Sequence, residues 1–99
     1  MEEDRLRKAA AIGRRAEELL RDETVLQVFQ VIELELMHEF RQADVEKAQE
    51  YWRLLHAHNQ IIHRLEIAVS NGREAEREIE RLNEDARRKR DFPNPDTRH

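Results

Sequence analysis

The 99-residue sequence has no cysteine, two glycines, two prolines and five aromatic residues. Without cysteine, a disulfide framework and thiolate metal sites are excluded. β-Sandwiches and barrels need many turns that draw on glycine and proline, so the low content of both excludes these folds. No apolar run approaches about 20 residues, and the acidic N-terminus lacks the apolar segment of a signal peptide. The sequence therefore predicts a single small domain with a cytoplasmic location and no membrane span.

Charged residues make up 40% of the chain and apolar residues 38%, with a net charge of −4. The charge is uneven, because residues 22–50 carry eight acidic side chains against two basic ones. A protein that binds nucleic acid over its whole surface is usually basic. Any DNA contact of this chain is therefore predicted to be local.

Apolar residues at intervals of three and four predict helices over about 3–21 and 23–41. Asp22 and Asp44 suit the N-caps of the second and third helices. A helix that runs straight through Asp22 is the alternative, since helix propensity allows it. The apolar residues of the second helix cover most of its circumference, which predicts burial on several sides. Alternation over residues 33–36 leaves a strand as the rival interpretation, but the length of the segment and its lack of turn residues favour a helix.

The third predicted helix, about 45–89, carries an apolar seam with coiled-coil spacing. The seam comprises Tyr51, Leu54, His58, Ile61, Leu65, Ala68, Gly72, Ala75, Ile79, Leu82 and Ala86. A break at 70–72 is an alternative because glycine suits a helix C-terminus, yet the seam stays in register through Gly72 and favours continuity. A second row of apolar residues covers an adjacent face of the first half of this helix: Val45, Ala48, Trp52, Leu55, Ile62 and Val69. It predicts two neighbouring helices for residues 45–70 and one for residues 73–88. Residues 91–99, which contain Pro93, are predicted to form a disordered tail.

These elements predict an all-α fold over residues 1–90, an antiparallel helical hairpin with a long C-terminal helix and coiled-coil-like packing. A helix of 45 residues cannot bury its seam against one of 20, so residues 1–21 or another copy must cover the rest. A chain this slender is poorly stable alone, which predicts an obligate oligomer, either a dimer or a ring. The predicted oligomer interface comprises Phe29, Ile32, Leu36, Phe40, Trp52, Leu54, His58, Ile61, Leu65, Ile79 and Leu82.

Few residues suggest chemistry. Glu35 and His38 form a Glu-x-x-His motif, the spacing of ferritin-like di-iron sites, but the chain has one copy and an exposed helix face is the simpler interpretation. His56, His58 and His63 suit polar positions that set helix register, with a ligand pocket or a pH-sensitive assembly as alternatives. One serine and no glycine-rich phosphate loop are present. We therefore expect no enzyme, no metal and no cofactor.

A basic group occupies the end of the third helix. It comprises Arg73, Arg77 and Arg81 in one column, followed by Arg87, Arg88, Lys89 and Arg90. Neighbouring glutamates would neutralise such a group if it is only a solvated face. The alternative is a contact site for nucleic acid or for an acidic partner, repeated around an oligomer.

Four segments share a recognisable spacing: residues 16–20, 37–40, the turn at Asp44, and residues 69–75. The stretch from Arg15 to Arg81 resembles small all-helical phage and prophage proteins encoded among packaging and structural genes, some of them similar to small terminase subunits. This resemblance implies oligomerisation through helical hairpins in a bacterial host. Small terminase subunits often carry an N-terminal helix-turn-helix for DNA, for which residues 1–22 are too short.

The resulting expectation is a non-enzymatic, oligomerising helical adaptor of phage type that acts in DNA packaging or particle assembly, with itself, DNA or a phage or host protein as partner. One alternative is a phage-encoded inhibitor that binds a host or defence protein or a small ligand. The other is a ferritin-like metal-binding protein.

Overall fold

The computed structural model describes residues 1–91, which form three helices and no strand. They are α1 (Glu2–Arg21), α2 (Glu23–Gln42) and α3 (Val45–Asp91). The prediction of an all-α fold is confirmed, and α3 runs without interruption through Gly72. The described part of the helix extends to Asp91, past the end predicted near residue 89, and the rest of the predicted tail lies outside the described residues.

Two aspartates separate the three helices. Asp22 has extended backbone angles, φ −75° and ψ 119°, and its carboxylate accepts a hydrogen bond from the backbone N–H of Val25 at 3.1 Å. The Asp44 carboxylate accepts from the backbone N–H of Lys47 at 2.9 Å. Each carboxylate satisfies a backbone donor that the first turn of a helix leaves free. Both predicted N-caps are confirmed.

The helices form a long hairpin in which α1 and α2 together make one limb and α3 makes the other. Phe29 of α2 meets His58 of α3, and Gly13 of α1 meets Gly72 of α3, so both short helices run antiparallel to the long one. The molecule is a rod of 82 × 26 × 16 Å. Residues 1–21 supply the cover that the second half of α3 needs, as one of the two predicted alternatives stated. The second neighbour predicted for residues 45–70 is not supplied by residues 1–91.

The tightest packing lies between α1 and α3 and is made by small residues. The buried residues of these two helices are Ala10, Gly13, Ala16, His58, Gly72 and Ala75. A Cβ added to Gly13 would lie 2.7 Å from the Cα of Gly72 and 2.9 Å from the carbonyl oxygen of Ala68. The two backbones are therefore in direct contact, which only glycine permits at this point.

The other half of the rod is packed more loosely. No residue of α2 is buried, and its inward positions, which include Val25, Phe29 and Leu36, are half-buried. Large side chains hold α2 away from α3, whereas glycine and alanine let α1 approach closely. The prediction that α2 is buried on several sides is therefore not met within a single chain.

We predict that Gly13→Ala lowers the free energy of unfolding by about 1–3 kcal/mol, because its methyl group would press on backbone atoms that cannot rotate away. The measurement is urea denaturation followed by circular dichroism at fixed protein concentration. The matched control is Asn71→Ala, an exposed change in the same region that should stabilise the helix slightly. A Gly13→Ala variant as stable as the parent would contradict the close contact.

Candidate interaction surface

Exposed apolar side chains are concentrated in one half of the rod. Of the fifteen exposed large apolar residues in the described chain, ten lie between Leu26 and Ile61. These ten, called here the apolar surface, are Leu26, Val28, Val31, Ile32, Leu34, Phe40, Val45, Trp52, Leu54 and Ile61. Single exposed apolar residues are ordinary, whereas a dense group of them is typical of surfaces that contact a partner.

The structure divides the predicted oligomer interface into two groups. Five of its residues pack inward, where they join the two limbs of one chain: Phe29, Leu36, His58, Leu65 and Ile79. Six are exposed: Ile32, Phe40, Trp52, Leu54, Ile61 and Leu82. The first group is therefore assigned to the hairpin itself, and the second group remains available to a partner. The sequence pattern did not separate the two groups because both repeat at intervals of three and four.

Helical geometry places several of the exposed residues on two opposite sides of the hairpin. Leu54 and Ile61 lie on one side of α3, and the antiparallel packing brings Val28 and Ile32 of α2 to that same side. Trp52 lies on the opposite side, 57% exposed. Both sides of this half of the rod thus present apolar surface to the surroundings.

The side that carries Trp52 also carries polar aromatic groups. The ring of Trp52 stacks on His56, with centroids 5.5 Å apart and planes 3° from parallel. One nitrogen of His56, Nε2, lies 3.3 Å from the amide nitrogen of Gln60. His63 is exposed on α3 and joins no such contact among the described residues. These groups form an ordered ridge along α3 rather than a pocket that could enclose a ligand.

His58 is the buried polar residue at the centre of the half of the rod that contains α2. It is 6% exposed, and its ring meets Phe29 edge-on with centroids 5.7 Å apart. Its Nε2 atom has no hydrogen-bond partner within the described residues. A buried nitrogen without a hydrogen-bond partner lowers stability. This favours the interpretation that His58 sets the register of the helices over the interpretation that it stabilises them.

The predicted basic column is largely engaged in ion pairs within the chain. Arg73 contacts Glu17 of α1 at 3.0 Å, and Arg14 contacts Glu76 at 2.9 Å. These two pairs bridge α1 and α3, and sequence reasoning missed them because they depend on the register set at Gly13 and Gly72. No such interhelical bond is formed by Arg77, or by Arg87, Arg88, Lys89 and Arg90, in the part of the chain that the structure describes.

Arg81 is held by two carboxylates on its own helix. Its Nε donates to Glu78 at 3.1 Å and its Nη1 donates to Asp85 at 3.2 Å. The hydrogen bonds from Arg81 lower the pKa of the Glu78 carboxyl below its usual value, and the same contact raises the pKa of Arg81. Both side chains remain open to solvent, 59% for Arg81 and 41% for Glu78, so this pair is a feature of the surface.

The Glu35 and His38 motif and the one serine of the chain lie on open parts of the surface. No three side chains of His, Asp or Glu converge within residues 1–91 to hold a metal ion, and Glu35 and His38 lie on an exposed face of α2. An open groove of about 520 Å³ lies where the end of α1 meets α3. Ser70 lines this groove beside arginines and glutamates, without a histidine that could activate it.

The chain matches no protein-family model, no curated protein and no solved structure. None of the helices over residues 1–91 combines the length and the apolar character that crossing a membrane requires.

We predict that His58→Leu raises the free energy of unfolding by about 1 kcal/mol, because it replaces an unpartnered buried nitrogen with an apolar side chain. Urea denaturation at fixed concentration measures the change. His63→Leu is the control, since that histidine is exposed and its ring makes no stacking or hydrogen-bonding contact among residues 1–91, so the change should alter stability little. A marked loss of stability in His58→Leu would show that the imidazole makes a stabilising hydrogen bond.

A second prediction concerns the acid side of the pH scale. The lowered pKa of Glu78 means that its pair with Arg81 contributes above the ordinary glutamate range and is lost as the pH falls through the lowered pKa. Arg81→Gln should return the Glu78 pKa to its ordinary value, as read by NMR titration of the carboxyl carbon. Arg77→Gln, which removes a different cation of the same column, should leave the Glu78 titration unchanged; an equal response to both variants would contradict the assignment.

Proposed function

We propose that this chain is a non-enzymatic helical adaptor that associates with copies of itself through the apolar surface. The single observation that carries the proposal is the exposure of that surface, ten large apolar residues within the half of the rod formed by α2 and the first part of α3. Full burial of such a side chain stabilises a structure by roughly 1.5–3 kcal/mol, so covering several half-exposed ones favours association strongly.

The contrast between the two halves of the rod supports an adaptor. The half that contains α1, called here the closed half, is packed by small residues and bridged by ion pairs, and it exposes fewer large apolar residues. The half that contains α2, called here the open half, has no buried residue in that helix. A partner that covers the open half would leave the closed half as an arm that projects from the assembly.

The far end of the arm carries the basic residues Arg87, Arg88, Lys89 and Arg90. Copies held together by their open halves would display this group several times, and repetition raises the effective affinity of a weak charged site. We therefore propose DNA or an acidic protein as the partner of the arm. The resemblance to small phage proteins of packaging and structural gene clusters supports a place in DNA packaging or particle assembly.

Light scattering coupled to size exclusion tests the self-association. The unmodified chain should elute as a dimer or larger species at micromolar concentration. Trp52→Lys/Leu54→Lys should shift it to the monomer, because the two lysines place charge on both sides of the open half. Circular dichroism checks that the variant keeps its helical content.

The matched control is Ile12→Lys/Leu19→Lys, which adds the same charge at positions of similar exposure on α1, 50% and 45%, outside the apolar surface. It should leave the assembly intact. A monomeric parent chain would overturn the proposal and favour the alternative of an inhibitor, in which a different protein covers the same surface. Equal disruption by both double variants would also overturn it, since the open half would then have no special role.

A further inference from the structure

A single stripe of five residues follows one exposed side of α3 in the open half. Its members are Glu50, Leu54, Ala57, Ile61 and Arg64, spaced at intervals of four, three, four and three. This spacing keeps all five on the same side of a helix. All are exposed, with Leu54 at 51% and Ile61 at 55%, so the structure removes these two residues from the inward-facing seam that the sequence predicted.

From either end, the side chains of the stripe follow nearly the same sequence of sizes. The charges at its two ends are opposite. Ala57 lies at its centre, a large aliphatic residue lies on either side, and the ends are Glu50 and Arg64. An identical stripe laid against it in the opposite direction brings Ala57 against Ala57 and Leu54 beside Ile61. The same alignment places Glu50 of one copy opposite Arg64 of the other, twice over by symmetry.

The groups that this arrangement needs are available in one chain. Neither Glu50 nor Arg64 forms an ion pair among residues 1–91, in contrast to the interhelical pairs of the closed half. A groove of about 350 Å³ lies on this side of α3, lined by Gln60, Ile61, Arg64 and Leu65. It is open and mainly apolar, which suits a leucine side chain entering from a second copy.

The direction of pairing follows from charge and size. A parallel copy would set Glu50 beside Glu50 and Arg64 beside Arg64, and like charges held together oppose association. The alanine at the centre lets two helices cross closely without a steric clash. Val28 and Ile32 lie on the same side of the hairpin, so α2 extends the apolar contact beyond the stripe.

We propose that a second copy of this chain docks antiparallel on this stripe, with its two-fold axis at Ala57. The inference rests on the self-association proposed above and specifies which of the two exposed sides mediates it. The closed halves of the two copies then project in opposite directions from a central four-helix core.

Charge reversal tests the direction of pairing. Glu50→Arg and Arg64→Glu should each weaken the dimer about tenfold, because each creates two like-charge contacts by symmetry. The combined variant Glu50→Arg/Arg64→Glu restores opposite charges at both contacts and should recover the parent affinity. Sedimentation equilibrium at low salt measures all four dissociation constants. If the parent chain dimerises but the combined variant binds more weakly than either single variant, the antiparallel arrangement is wrong.

Disulfide trapping tests the position of the axis, helped by the absence of native cysteine. Ala57→Cys should form a covalent dimer on mild oxidation, because residues on a two-fold axis lie within the short Cα separation that a disulfide requires. His63→Cys, exposed elsewhere on the circumference of α3, should remain reduced. If the parent chain associates but only His63→Cys is trapped, the stripe is wrong while the proposed function stands; if the parent chain is a monomer, both fail.

Discussion

The backbones of α1 and α3 touch at Gly13 and Gly72, where a Cβ on either residue would lie 2.7 Å from the Cα of the other. This contact sets the register of the whole hairpin, because a shift of one turn would bring side chains into a space that has no room for them. The register in turn brings Arg14 to Glu76 and Arg73 to Glu17. It also fixes the point along α3 that the end of α1 reaches, and thus which part of α3 remains for α2.

The close contact of small residues gives the two halves of the rod different properties. Glycine and alanine let the backbones of α1 and α3 approach closely and become buried. Their small side chains add little volume to the contact between the two helices. In the other half, larger residues keep α2 at a distance and leave much of their apolar area exposed to water. Covering this exposed apolar area with another surface removes it from water and lowers the free energy. This is the physical basis for proposing self-association there.

Charge follows the same division. In the closed half, arginines and glutamates of different helices neutralise one another and add specificity to the register more than stability. In the open half, Glu50 and Arg64 stand at opposite ends of an apolar stripe. Charges placed in this way contribute little to one chain and select the direction in which two chains meet.

The sequence by itself determined the helices, since the scarcity of glycine and proline excluded strands and the aspartates at 22 and 44 capped the two later helices. It favoured the continuity of α3, because the apolar seam keeps its spacing through Gly72, but it left a break at 70–72 as an alternative that only the structure excluded. It did not separate inward residues such as Phe29 and His58 from outward ones such as Leu54 and Ile61, because both groups repeat at helical intervals. Only the tertiary structure decided that division, because the direction in which a helix faces depends on where its neighbour lies, and here the meeting of Gly13 with Gly72 sets that position.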